Sequence, residues 1–230
     1  AMVPGRHEIG DIIPWYERQI EKLAVEVRLG TSVDGALIDS IKPDVVIVAT
    51  GSAPEIPEDV MTILAGTSGI AVMTADEIFE DGREAGDNVL VLGGDQIGMQ
   101  LADFLASAGK TVHVAQRGRH FAAKLAANDR WYLMSRLAER GVARVKNVQA
   151  LEVEPGDAVW LRTGEGRKNL PGIDTIILAE DRRSMRGVSE IARGRGIETF
   201  LIGDAHDIVS EDSGTIFSNI AHAYDVARAI

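Results

Sequence analysis

Residues 89–119 read VLVLGGDQIGMQLADFLASAGKTVHVAQRGR, and this stretch decides the fold. An apolar run centred on 88–92 meets a glycine-rich turn at 93–98. A helical pattern follows to about Ala108, Gly109 supplies its C′ stop, and a second apolar run fills 111–115. Strand, glycine-rich turn, helix and strand in that order are the βαβ unit of a dinucleotide-binding fold. In its GxGxxG fingerprint the first glycine allows the tight turn, the second lets the backbone approach the pyrophosphate, and the third lets helix and strand pack closely. Gly93 and Gly98 fill the first and third places, Asp95 fills the second, and Gly94 is a further glycine one residue out of step. Amides at the helix start would otherwise hold phosphates. A carboxylate at Asp95 adds bulk there and repels a phosphate by about 1 kcal/mol in water at ~4 Å, and by more at lower dielectric. It is also a candidate N-cap, taking the helix-terminal N–H groups in the phosphate's place.

The end of the second strand points the other way. An NAD site commonly has an acidic residue there for the ribose 2′-hydroxyl. This chain has Gln116, Arg117, Gly118 and Arg119. Arg117 and Arg119 either pair with a 2′-phosphate, selecting NADP(H), or form a solvent-exposed basic loop.

Working outward, strands and helices alternate, which predicts an α/β protein with largely parallel strands. A helix is expected from Pro14 to about Ala24, with Ile13, Ile20 and Leu23 on one apolar side. Short strands are expected at 25–29 and 70–73, and 45–50 (VVIVAT) reads as a strand buried on both faces. Thr74 is a candidate N-cap for a short helix. The polar connector 81–87 is the expected domain boundary. Downstream, a helix at 128–140 precedes strands near 142–146, 148–154 and 158–162, then a buried strand within 173–180. The basic stretch 182–196 reads as loop, 199–205 as a strand ending in Gly-Asp-Ala, and 214–229 as an amphipathic closing helix.

The net charge of -11 disfavours general binding to nucleic acid or to anionic membranes. No apolar run approaches the ~20 residues of a membrane helix, and no signal peptide is evident, so a cytoplasmic setting is expected. Without cysteine the chain offers no disulfide, thiolate metal site or iron–sulfur ligand. The five histidines lack paired metal spacing, and Asp204, His206 and Asp207 read more simply as a solvated loop than as ligands. Trp15, Tyr16, Trp131 and Tyr132 read as packing aromatics before they read as stacking platforms. No nucleophile motif appears, so no catalytic residue is nominated.

Five segments together carry a family resemblance: AMVPGR at 1–6, YERQIEKLAVEVRLGT at 16–31, PDVVIVATGSAP at 43–54, VLVLGG at 89–94 and FLIGDA at 200–205. In order, they resemble the C-terminal portion of the old-yellow-enzyme-related iron–sulfur flavoproteins. That group includes 2,4-dienoyl-CoA reductase, trimethylamine dehydrogenase and N-methyl-amino-acid demethylases. The resemblance implies a two-dinucleotide-domain, glutathione-reductase-like architecture. A partial FAD- or ADP-type domain would comprise 1–86 and 183–230, and an inserted NAD(P)-type Rossmann-like domain 87–182. Thr50 and Gly51 would link back to the first nucleotide domain. Gly203 and Asp204 would lie near its nucleotide, with Asp204 offering a carboxylate to sugar or ribityl hydroxyls. The first domain's own βαβ unit and fingerprint are not in this sequence. The resemblance places them upstream, after a barrel bearing FMN and an iron–sulfur cluster. The chain is therefore expected to be part of a longer protein, to have that barrel as its partner, and to form homo-oligomers through open sheet edges. Asp95 departs from the reductase members and matches a degenerate small domain.

Overall fold

The computed structural model describes residues 4, 5, 7–208 and 215–230; residues 1–3 and 6 of the first resemblance segment lie outside them. A 3-10 turn at His7–Asp11 leads into α1 (Ile12–Lys22), followed by α2 (Gly35–Ile41), β1 (Val45–Val48), β2 (Ser52–Pro54), α3 (Glu58–Leu64), β3 (Ala71–Thr74) and α4 (Ala75–Phe79). The decisive stretch gives β4 (Asn88–Leu92), α5 (Gln96–Ser107) and β5 (Thr111–Ala115). Then come α6 (Ala127–Glu139), β6 (Ala143–Val145), β7 (Val148–Glu154), β8 (Ala158–Thr163), β9 (Gly166–Leu170) and β10 (Thr175–Leu178). The chain closes with β11 (Arg182–Ser184), α7 (Gly187–Arg193), β12 (Glu198–Leu201), a 3-10 turn at Gly203–Ala205 and α8 (Ile216–Ala229).

Two compact units result. The first comprises Ala1–Leu23 and Pro54–Asp181. Its centre is a five-stranded sheet in the order β3-β10-β4-β5-β6, with every pairing parallel. β10 is buried along its whole length, as its Thr-Ile-Ile-Leu run implies for a central parallel strand. On one face, α4, α5 and α6 pack over Val89, Val91, Val112, Val114 and Ile177. The other face buries Leu90, Ala115, Ile176 and Leu178 against α3 and the antiparallel meander β7-β8-β9. Asp103, fully buried on α5, receives Arg136 Nε and Nη2 at 3.0 and 2.9 Å and also Arg140 Nη1, so one carboxylate ties α5 to α6. Thr74 caps α4 through a complete capping box with Glu77, as its sequence predicts.

The second unit comprises Ala24–Ala53 and Arg182–Ile230. Here β1 pairs in parallel with β12, and β2 and β11 form a separate two-stranded sheet.

Several expectations change. The boundary expected at 86/87 lies at 53/54, because β3 joins the five-stranded sheet beside β10 and α3 covers its meander face. Residues 25–29 form no strand; no neighbouring strand pairs with them, and Val25, Val27 and Leu29 are exposed. β1 is not buried on both faces: Ile47 is 45 % exposed, since β12 alone pairs with it. The apolar side of α1 packs against nothing that buries it, and no residue of that helix is buried. The basic stretch after β10 is no loop but β11 and α7, fixed by backbone and arginine contacts described below.

Candidate nucleotide sites

The turn after β4 keeps the backbone of a dinucleotide fold. Gly93 has φ +122°, and a Cβ there would lie 2.7 Å from the Ala179 carbonyl carbon. A Cβ on Gly98 would lie 2.0 Å from the Gly93 carbonyl oxygen, so the first and third glycines are required by packing alone. Gly94 is tied to residues further along the chain. The Gly94 N–H donates to Gln116 Oε1 at 3.0 Å, a buried bond, and the Gly94 carbonyl accepts from the Ala122 N–H at 2.7 Å. The Phe121 ring lies where a Gly94 side chain would begin, 2.6 Å from an ideal Cβ. Gln116 stands at the end of β5, where an NAD site has its ribose carboxylate, and its amide is spent on the turn itself.

Asp95 occupies the N-cap position of α5 but accepts no capping hydrogen bond; its carboxylate is exposed. The expected substitution of carboxylate for phosphate on the helix amides is thus corrected. At φ -79° and ψ -169° its backbone is extended, as at the N-caps Asp34 and Thr74, but it lacks the capping bond that those two make. Its charge is felt by Glu180. That carboxyl's pKa is raised by burial first, then by Asp181 and Asp95, while the Arg117 guanidinium and backbone N–H oppose the rise. Arg117 and Arg119 are both exposed, and Arg117 Nη2 lies 3.8 Å from Asp59 Oδ2.

Beside the turn, a cavity of about 230 Å³ opens at the carboxyl ends of β4, β5 and β10, between α3 and β7. Val60, Ile63, Leu92, Leu151 and Leu178 form its apolar lining.

The second unit holds a different arrangement. Thr50 Oγ1 donates to the Met185 carbonyl, and the Met185 N–H returns a bond to the Gly51 carbonyl at 2.9 Å. Thr50 and Gly51 therefore fasten the turn after β1 to the segment after β11. Arg182 Nε donates to Ser52 Oγ at 2.9 Å, and Ser52 Oγ donates to Asp204 Oδ2 at 3.2 Å. Arg182 Nη2 also reaches the Ser52 carbonyl at 2.8 Å, and Ser184 Oγ donates to the Asp204 carbonyl at 2.6 Å. Arg186 Nε binds the Ala205 carbonyl at 3.0 Å. Asp204 is thus held by one oxygen. Its Oδ1 is buried without a hydrogen-bond partner, a condition shared among the described residues only by His113 Nδ1 and Trp160 Nε1. A buried carboxylate oxygen lacking a donor is costly. A sugar or ribityl hydroxyl is the donor that would satisfy it, so the residues here fit the hydroxylated part of FAD or ADP.

The motifs that pick out Gly93, Gly98, Gly203 and Asp204 are local in the sequence. Sequence reasoning did not foresee Gln116 and Phe121 against Gly94, or Ser52, Arg182 and Ser184 around Asp204. A strand-forming Arg-Arg-Ser run next to a buried strand was the one local signal for the latter. Among the described residues, no three His, Asp or Glu side chains are grouped to hold a metal, and no helix is long and apolar enough to cross a membrane.

A five-stranded parallel sheet with a glycine turn after β4 and a meander on its second face defines a Rossmann-like α/β fold. The chain belongs to the pyridine nucleotide-disulphide oxidoreductase family, which it matches over residues 19–180. It is 25 % identical over 99 % of its length to NADH oxidase of Thermoanaerobacter brockii, covering 34 % of that protein. It is 35 % identical over 55 % of its length to the probable N-methylproline demethylase of Rhizobium meliloti (strain 1021), covering 18 % of it. Among solved structures, a 2-naphthoyl-CoA reductase superposes with TM-score 0.83 over the whole chain at 24 % identity, covering 33 % of that chain. Histamine dehydrogenase from Rhizobium sp. 4-9 superposes with TM-score 0.80 over 99 % of this chain at 18 % identity, covering 37 % of that one. The demethylase relative is of the type anticipated from the sequence, and the resemblance to the old-yellow-enzyme-related flavoproteins stands. The chain spans about a third or less of these relatives.

Proposed function

We propose that this chain is the C-terminal nucleotide-binding-fold region of a flavin-dependent NAD(P)H or amine oxidoreductase. Its second unit positions the sugar portion of an FAD or ADP, and its first unit keeps a dinucleotide fold as scaffold. The observation that carries this reading is Asp204 Oδ1, buried and lacking a donor while Ser52 fixes the other oxygen. The chain would supply positioning and no bond-making residue; the cofactors would do the redox chemistry. In the parent protein, an upstream barrel with FMN and an iron–sulfur cluster, and the first βαβ unit of the FAD or ADP domain, would complete the enzyme. A cytoplasmic setting goes with this reading.

The test uses the protein at the full length its gene encodes. Denaturation should release FAD or ADP in near-stoichiometric amount, and Asp204→Ala should cut that content at least several-fold. NADPH should not bind the 93–98 turn, and Asp95→Gly should leave it unbound, because Gln116 and Phe121 still close the turn. Nucleotide content unchanged by Asp204→Ala would overturn the positioning role. Micromolar NADPH binding abolished by Arg117→Ala would restore the first unit as a working cofactor site.

A further inference from the structure

A cavity opens beside the glycine turn, and carboxylates outnumber arginine in its lining. The carboxyl-terminal edge of a parallel sheet is where such folds receive ligands. Here the floor is aliphatic, from Leu92 on β4, Leu178 on β10 and Val60 on α3. Around it stand Glu55, Asp59, Glu180 and Asp181, against Arg117 as the basic residue of the lining. Arg117 lies 3.8 Å from Asp59, so its charge is already shared. Glu180 is the inner group. Burial, Asp181 and Asp95 resist its ionisation and Arg117 only partly offsets them, so a further positive charge beside it would ease the remaining penalty. An anionic phosphate would meet the same groups with the opposite sign. Size is adequate: a cavity of about 150 Å³ already accepts benzene in another protein, and this one measures about 230 Å³.

We propose that this cavity binds a small organic ammonium ion, its apolar body on the Leu92–Leu178 floor and its charge against Glu180 and Asp181. The inference builds on the reading that the first unit has given up its dinucleotide.

The test is calorimetric titration of the 230-residue chain with benzylammonium, with benzyl alcohol as the neutral match and with adenosine monophosphate. Benzylammonium should bind at least tenfold more tightly than benzyl alcohol. Glu180→Gln should weaken it at least fivefold without lowering thermal stability. Ile63→Trp, which narrows the mouth without touching the carboxylates, should abolish it. Equal binding of the alcohol, no binding of the amine, or tighter binding of adenosine monophosphate would each overturn the proposal. NADPH binding with Arg117 dependence would instead overturn the scaffold reading, so the two failures are separable.

Discussion

Glu180 and His113 both lie where water is scarce, and they respond to acid in opposite senses. The Glu180 carboxyl has its pKa raised by burial and by neighbouring carboxylates. A group whose folded pKa exceeds its unfolded value contributes stability below the unfolded pKa and loses it as pH rises through the folded value. At neutral pH Glu180 is therefore a burden, and Glu180→Gln should raise the melting temperature at pH 7 but not at pH 4. Thermal melts at both values decide this. His113 has its pKa lowered, mainly by burial and secondarily by Lys168. Its stabilising contribution is full above the unfolded value of about 6.5 and declines as pH falls through it. Asp204 differs from both, since its distinguishing feature is a missing donor. That difference shows why residue identity alone said little: Asp204 stood out by its Gly-Asp-Ala setting, whereas Glu180 had no local mark at all. Its shift comes first from burial and then from its neighbour Asp181, with Arg117 and Asp95 acting from 63 and 85 positions earlier in the chain.

At the scale of elements, the βαβ stretch was legible because its signals are local. The glycine stops at Gly109 and Gly141 have φ +86° and +72°, and the intervening helices end within a residue or two of expectation. The failures are non-local. The run at 25–29 has strand-forming residues but no partner strand, and β-propensity without pairing does not make a sheet. β9, Gly-Arg-Lys-Asn-Leu, carries almost no apolar pattern and exists because β8 pairs with it. The α5–α6 pin is likewise invisible in the sequence, since Asp103 meets its arginines 33 and 37 residues later. Asp103→Ala should cost about 3 kcal/mol, because a buried ion pair is broken from its least accessible member. Chemical denaturation of the chain checks it, and the double replacement with Arg136→Ala should cost less than the sum of the single changes.

For the molecule as a whole, the two units are unequally finished. The first has a continuous core on both faces of its sheet. The second rests on two-stranded sheets, which are marginal by themselves. It also exposes Val25, Val27, Leu29, Ile47 and, on α8, Ile216, Phe217 and Tyr224. Apolar surface of that extent invites association. The 230-residue chain should sediment as a dimer or larger species at micromolar concentration, and Ile47→Lys, on the exposed part of β1, should shift it toward monomer. Sedimentation of a single monomeric species by the unaltered chain would show that these surfaces are satisfied some other way.

The Gln116 bridge has a mechanical consequence. Its side-chain oxygen takes the buried Gly94 N–H at 3.0 Å and so rivets the glycine turn to the residue that follows β5. Removing the glutamine alone strands a buried amide, and removing Phe121 alone leaves a hole beside Gly94. The shape of the turn therefore depends on two side chains more than twenty residues downstream as much as on its own glycines.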